Sequence, residues 1–257
     1  MWLTAAKECY RSSLAKALSY ARNDTTIVPV PEWNGAMSEL IKIPLSSAEY
    51  LAHFDRPYVG LIANDRPKVF EAIVSALLPF DFKLANTEII TTGSLADQKV
   101  TFTLPERGIS FQFGAEECRF TKEGASWNTA EEDSKILLAA ERALLKTSGA
   151  KIESCLLTLA MHLQPLAKKR EEILAPFVPE PFKSFMGKYA PQTFGNHLKW
   201  SDGDVLLDFS VAFANGIFLR FSSQFKGRPP HLDILTKVRS NQEMLFALLE
   251  IEEATNE

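Results

Sequence analysis

The chain is poor in the residues that most often carry chemistry. Across 257 residues it has three cysteines and four histidines. Cys9, Cys118 and Cys155 lie far apart with no CxxC spacing, which excludes a zinc ribbon or a thioredoxin-like motif and fits a reduced compartment better than a disulfide scaffold. His53, His162, His197 and His231 never fall at i, i+3 or i, i+4 spacing, and no HExxH occurs, so no helix presents a histidine pair to a metal. Neither GxxxxGK[ST] nor GxGxxG is present, which removes the common phosphate-cradling loops. Gly93-Ser94 lacks the GxSxG elbow of a serine hydrolase. These absences predict a chain without cofactor or metal.

Long apolar runs are missing too. None approaches the roughly 18 residues of a membrane span, and the N-terminus has no apolar core followed by a small-residue cleavage site. The expectation is a cytoplasmic protein with no membrane partner. Charge of one sign is also lacking. The net charge is −4, with 16 Lys and Arg against 19 Asp and Glu in residues 1–150, and 12 against 13 in 151–257. That balance argues against a dedicated duplex nucleic-acid binder.

What the chain does have is strand pattern. Residues 194–225 read as a three-stranded antiparallel meander. Asp202-Gly203 is a two-residue hairpin signal, placing Trp200 opposite Val205 and Leu198 opposite Leu207. At the next turn, a three-residue loop Ala214-Asn215-Gly216 pairs Phe213 with Ile217, Val211 with Leu219 and Phe209 with Phe221, apolar on apolar. That register predicts a G1 bulge with Gly216 left-handed. The opposite face carries Asp208, Ser210, Arg220, Ser222 and Gln224 and reads as wet. A second meander covers 98–122. Val100, Phe102 and Leu104 face Phe113, Phe111 and Ile109 across Pro105–Gly108, and Phe111 and Phe113 face Phe120 and Cys118.

The remaining elements follow from periodicity and caps. Residues 2–22 form an Ala-rich amphipathic helix with a basic face, read as packed on the body of the protein in preference to a membrane-surface or targeting helix. Residues 23–35 are a proline-bearing connector. Glu39 to Ile43 reads as a short strand, Ser46-Ser47-Ala48-Glu49 as a capping box opening a helix to Phe54, and Tyr58 to Ala63 as a strand. Asn64-Asp65-Arg66-Pro67 starts a helix with Val69, Phe70, Ile73, Val74, Leu77 and Leu78 inward, and Thr87 to Thr92 reads as a strand. A long helix runs from the Thr129-Ala130-Glu131-Glu132 box to a stop at Gly149, with Ile136, Leu137, Ala140, Ala143 and Leu144 inward. Ile152 to Leu163 is a strand. Leu166 to Ala175 is a helix, and a second one after Pro181 carries Phe182, Phe185, Met186 and Tyr189 on one side. The final helical region spans His231 to Ile251, and Ser240-Asn241-Gln242-Glu243 leaves open whether it is one helix or two.

This order predicts an α+β chain in three parts: an N-terminal helix and connector (1–56), then two similar strand-helix-meander-helix halves (57–150 and 151–257), with antiparallel sheets covered by helices on one face. No residue-level repeat stands out, so the duplication rests on element order. In topology alone the order is similar to duplicated βαβββ folds such as TATA-binding-protein-like saddles and sliding-clamp subunits, and fold analogy carries no function.

Candidate binding residues are Arg119, Phe218, Arg220 and Gln224 on the open sheet face, and Lys226, Arg228 and His231 after the last strand, where an anion would find charge. The plainer reading of each is a solvated surface. The carboxylates of Asp202-x-Asp204, Glu116-Glu117 and Glu131–Asp133 sit in turns or a first helical turn, where their propensities suffice. The first functional reading is a non-enzymatic protein-interaction or adaptor module that binds another protein, or itself, through the open face or the aromatic helix. The alternative is a single-stranded nucleic-acid binder using Arg119, Arg220 and Phe218. A further alternative is an enzyme with a dispersed site at His162 and His197.

Overall fold

Alternating apolar residues build nearly every strand of this protein, and their period of two sets which side of the sheet is buried. The structure, a computed structural model, describes residues 38–178 and 195–254. The strands are β1 (Glu39–Phe54), β2 (Thr87–Ile90), β3 (Lys99–Leu104), β4 (Ile109–Phe113), β5 (Glu117–Glu123), β6 (Ile152–Pro165), β7 (Gly195–Trp200), β8 (Gly203–Phe209), β9 (Ile217–Lys226) and β10 (Ile251–Glu253). They form one sheet in the order β2-β3-β4-β5-β1-β6-β9-β8-β7, antiparallel throughout, with β10 added parallel to the start of β1. The helices among the described residues are α1 (Arg66–Leu77), α2 (Ala130–Ser148), α3 (Arg170–Leu174) and α4 (His231–Leu248). None of them is long and apolar enough to cross a membrane.

All four helices reach the same face. Phe70 of α1 packs on Phe102, Glu141 of α2 accepts from Tyr50, Arg170 of α3 stacks over the Phe209 ring at 3.9 Å, and Asn241 of α4 donates to Ser223. The core beneath them includes fully buried Phe102, Phe111, Phe113 and Phe221. Truncating any one of these to Ala would cost roughly 3–5 kcal/mol. No described helix covers the other face.

The α+β class is as expected, and the 98–122 meander has the expected register, residue for residue. Its turn closes with Gly108 left-handed, at φ 61°. α2 ends as expected on left-handed Gly149. α4 is continuous through Ser240–Glu243. The N-terminal helix and connector and the aromatic helix with Phe182, Phe185, Met186 and Tyr189 lie outside the described residues.

Four expectations are corrected. Ser46–Phe54 is strand, not helix: β1 runs unbroken from Glu39 to Phe54, between β5 and β6. The capping-box spacing is real, but Tyr50, Ala52 and Phe54 also alternate, and two flanking strands outweigh a local cap. Tyr58–Ala63 is a 3-10 turn and not a strand, with Val59 exposed and Leu61 buried. In the second meander both turns move; the residues that remain in strands keep their faces, but Val211 and Phe213 leave the sheet and Val211 is exposed. Trp200 pairs with Gly203 and Leu198 with Val205, because Asp202 is engaged elsewhere: its carbonyl accepts from Gln224 N and its carboxylate from Lys237 of α4. Phe209 pairs with Ile217, and residues 210–216 form the connection. Gly216 is not left-handed there. The Ser210 hydroxyl accepts from Ala212 N and Phe213 N, and the Asn215 side chain bonds Arg170 N and Lys168 O across to α3.

Gly203 is in the strand for closeness. A Cβ there would stand 2.3 Å from Ser222 O and 2.9 Å from the Trp200 ring, whereas one at Gly195 would meet nothing within 4 Å. Gly203→Ala is therefore expected to cost about 1–3 kcal/mol in urea unfolding, with Gly195→Ala changing stability by no more than about 0.5 kcal/mol.

Candidate functional site

The residues singled out in the sequence fall on the two sides of the sheet. Arg119 of β5 and Phe218, Arg220, Gln224 and Lys226 of β9 share the parity of the open face, whereas Arg228 and His231 meet on the helix side.

On the open face, Arg119 lies across from Leu51, which faces Leu156, which faces Gln224. The Arg119 guanidinium donates to Glu49 at 3.4 Å and to Glu117 at 3.2 Å, and His53 Nδ1 stands 3.5 Å from the other Glu117 oxygen. These side chains are about a third exposed or more, so each pair is worth only about 0.2–1 kcal/mol. On the other half, Ser222 donates to Asp204 at 2.6 Å and His197 Nε2 lies 3.3 Å from the second Asp204 oxygen. Burial pushes the Asp204 carboxyl up, but the Ser222 hydrogen bond, His197 and the Arg220 charge outweigh it and hold the group low. The Nε atoms of Arg119 and Arg220 are both buried, with no hydrogen-bond partner among the described residues.

The registers relate the two sides of the face. Around the Glu49–Thr158 pair, Arg119 opposite Leu51 corresponds to Arg220 opposite Ala160, Thr121 to Ser222, and His53 opposite Glu117 to His162 opposite Phe218. The matching tetrapeptides are Cys118-Arg119-Phe120-Thr121 and Leu219-Arg220-Phe221-Ser222. So short a match in otherwise unlike strands becomes visible only when the pairing says which residues are equivalent.

The geometry does not assemble His162 and His197 into one site, since β9 and β8 lie between their strands. Ser222, Asp204 and His197 do form a chain, but the carboxylate is in the middle. Activating a serine requires the imidazole between hydroxyl and carboxylate. His162 Nδ1 is 2.7 Å from the Ser210 hydroxyl and its ring packs 5.0 Å from Phe218. Ser210 is buried and its oxygen already caps the 210–216 connection, so a substrate carbonyl has no approach to it.

The helix side holds a stronger electrostatic feature. Glu141 of α2 is completely buried. Its Oε1 accepts from the Tyr50 hydroxyl at 2.8 Å, and its Oε2 accepts from Arg228 Nε at 2.7 Å with Arg228 Nη2 also in contact. His231 Nε2 stands 3.4 Å from that same oxygen, outside hydrogen-bond geometry, and its ring lies 5.3 Å from that of Tyr50. Burial alone would raise the Glu141 carboxyl, but the His231 imidazole and the Arg228 guanidinium outweigh it and keep the group lowered. Burial first, and then the Glu141 charge, push the Tyr50 phenol well up. Sequence reasoning reached Arg228 and His231 and missed Glu141. The signal was available: Glu141 sits four residues after Leu137 and three before Leu144, inside the apolar stripe of α2. Cys118 and Cys155 flank Ala52 in the neighbouring strands, buried, with burial pushing Cys155 up to about 11 and Cys118 well up. Both thiols act as small hydrophobes, and in native protein neither should react with a thiol reagent at neutral pH, while both should react on unfolding in urea.

Glu141→Gln should lower stability by about 3 kcal/mol at pH 7, since it leaves the Arg228 guanidinium without its buried counter-charge. The folded-state pKa of Glu141 lies below its unfolded value, so its contribution is full above the unfolded pKa and lost as pH falls through the folded one. Urea midpoints measured from pH 7 down to pH 3 should therefore fall more steeply for the wild type than for Glu141→Gln.

No family model and no curated protein matches the chain. Among solved structures it is similar to a rolling circle replication initiator protein from Geobacillus stearothermophilus, at 10% identity over 75% of this chain and 77% of that one, with a TM-score of 0.28. A superposition that loose carries no argument about function, and the chain's properties rest on its own residues.

Proposed function

We propose that the chain is a non-catalytic binding module that docks another protein on the open face of its sheet. The observation that carries this reading is the composition of that face. Half-buried Leu51 and Leu156 lie in the row of Arg119, half-buried Leu206 and Phe218 lie in and beside the row of Arg220, and no described helix covers either pair. Half-buried apolar side chains, one of them aromatic, interleaved with arginines are the make-up of a protein-docking surface. The notion of a single-stranded nucleic acid on the same face has Phe218 and two arginines in its favour. Against it, Arg119, Arg220, Lys199 and Lys226 are matched by Glu49, Glu117, Asp204 and Asp208, leaving no excess of positive charge for a phosphate backbone. We read the matched positions around Glu49 and Thr158 as the trace of an internal duplication, which would give the docking face two related halves.

The test compares wild type with a Leu156→Asp, Phe218→Asp double variant as bait for affinity capture from native lysate, after circular dichroism and thermal unfolding have shown both to be folded. A partner held by the wild type and lost by the variant is the expected result. An identical set of captured proteins from both would remove the sheet-face reading. Low-salt anisotropy with a fluorescent single-stranded oligonucleotide, expected to show no saturable binding, addresses the other reading.

A further inference from the structure

Beneath the sheet, on the side opposite the proposed docking face, lies a cavity of about 400 Å³. Its floor is β1, β5 and β6, its sides are α2 and α4, and the 124–128 segment lies along its rim. That volume falls within the range of small-molecule sites, about 300–1,000 Å³. The walls are more apolar than polar, with Leu137, Leu157, Leu159, Met161 and Ile234 among the residues that line the space.

Two buried polar side chains open onto the cavity with unused hydrogen-bonding capacity. Gln242 is 6% exposed, and its amide oxygen accepts from Trp127 Nε1 at 2.9 Å, while its amide nitrogen has no hydrogen bond among the described residues. Asp133, 9% exposed, accepts from Thr129 through Oδ2 and leaves Oδ1 without one. The other charged groups along the lining are engaged or at its edge. Lys122 Nζ is spent on the Arg107 and Glu123 carbonyls, His231 Nε2 is turned to Glu141, and Glu253 is exposed. The space therefore offers an apolar body a fixed acceptor, Asp133 Oδ1, and a fixed donor, the Gln242 amide nitrogen.

We propose that this cavity binds a small lipophilic molecule bearing an N–H group, the ring or chain packed between Leu159, Met161 and Ile234 and the N–H donating to Asp133. A lipophilic carboxylate is disfavoured at the same place, because it would set acceptor oxygens against the acceptor Oδ1 of Asp133.

N-phenyl-1-naphthylamine, an uncharged aromatic amine that brightens in apolar surroundings, is the probe. Titrated into the full chain, it should show saturable, one-to-one binding. Ala48→Phe, which grows a ring from β1 into the cavity, should weaken binding at least about tenfold, or 1.4 kcal/mol. Asp133→Asn should weaken it less, and Arg119→Ala on the far face should leave it unchanged. If Ala48→Phe does not fold, Ala130→Trp at the start of α2 narrows the same space and carries the test. Absence of saturable binding to the wild type overturns the proposal, as does binding that a folded cavity-filling variant leaves intact.

Discussion

The pairing of β1 with β6 is the contact on which the rest of the structure depends. The two longest strands lie side by side from Leu45–His162 to His53–Ser154. Every other strand attaches to one of them: β5 through β2 build outward from β1, and β9, β8 and β7 from β6. Their far end is fixed by Glu39, whose carboxylate accepts from Ala167 N at 2.6 Å and Lys168 N at 2.9 Å, just past the end of β6. A slip of one residue in this pair would turn Tyr50 away from Glu141 and put the Arg119 and Arg220 halves of the open face out of correspondence.

The two faces of that pair use charge in different ways. Arg119, Glu49, Glu117 and His53 meet at the partly exposed surface, where each pair contributes little to stability. Glu141 meets Tyr50, Arg228 and His231 out of water. A buried carboxylate is tolerated only when its lone pairs are met by donors and its charge by a cation, and here these come from Tyr50 of β1 and Arg228 of the segment after β9, with the His231 ring at the start of α4 packed beside them. The carboxylate thus fixes where α2 can sit relative to three other pieces of the chain, while the neighbouring cavity is left open between the same elements.

The sequence was most informative where local and long-range preferences agree. In the 98–122 meander, Phe102, Phe111 and Phe113 alternate, the Pro105–Gly108 turn has its left-handed glycine, and the register was readable to the residue. In 194–225 the alternation also identified the buried faces, but both turns were misplaced. Asp202 and Asn215 do sit in turns, but they also hold α4 and α3, an obligation that nothing within five residues of them reveals. Ser46–Phe54 misled for the same reason. Its cap spacing is local, whereas the strands that claim it on both sides lie far along the chain. Of the site, the open-face residues were readable from parity alone. Glu141 was readable in principle as a charge inside an apolar stripe, but its partners were not, because Tyr50 lay in a segment assigned to the wrong element. The cavity has no sequence signature, since it is the space left between residues that are ordinary one at a time.

The position of β1 has a further consequence for how the chain reaches this state. Leu51 must find Arg119 on one side and Leu156 on the other, and Glu39 must find Ile251. All three partners are synthesised after it, the last near the end of the described residues. Closing such distant contacts makes the native state slow to nucleate, and until they close, β1 is an apolar ribbon with both backbone edges unpaired. Such a ribbon pairs readily with other chains. The strand at the centre of the finished sheet is thus the most exposed to misassembly during biosynthesis, and the yield of folded protein should be governed by how long it waits.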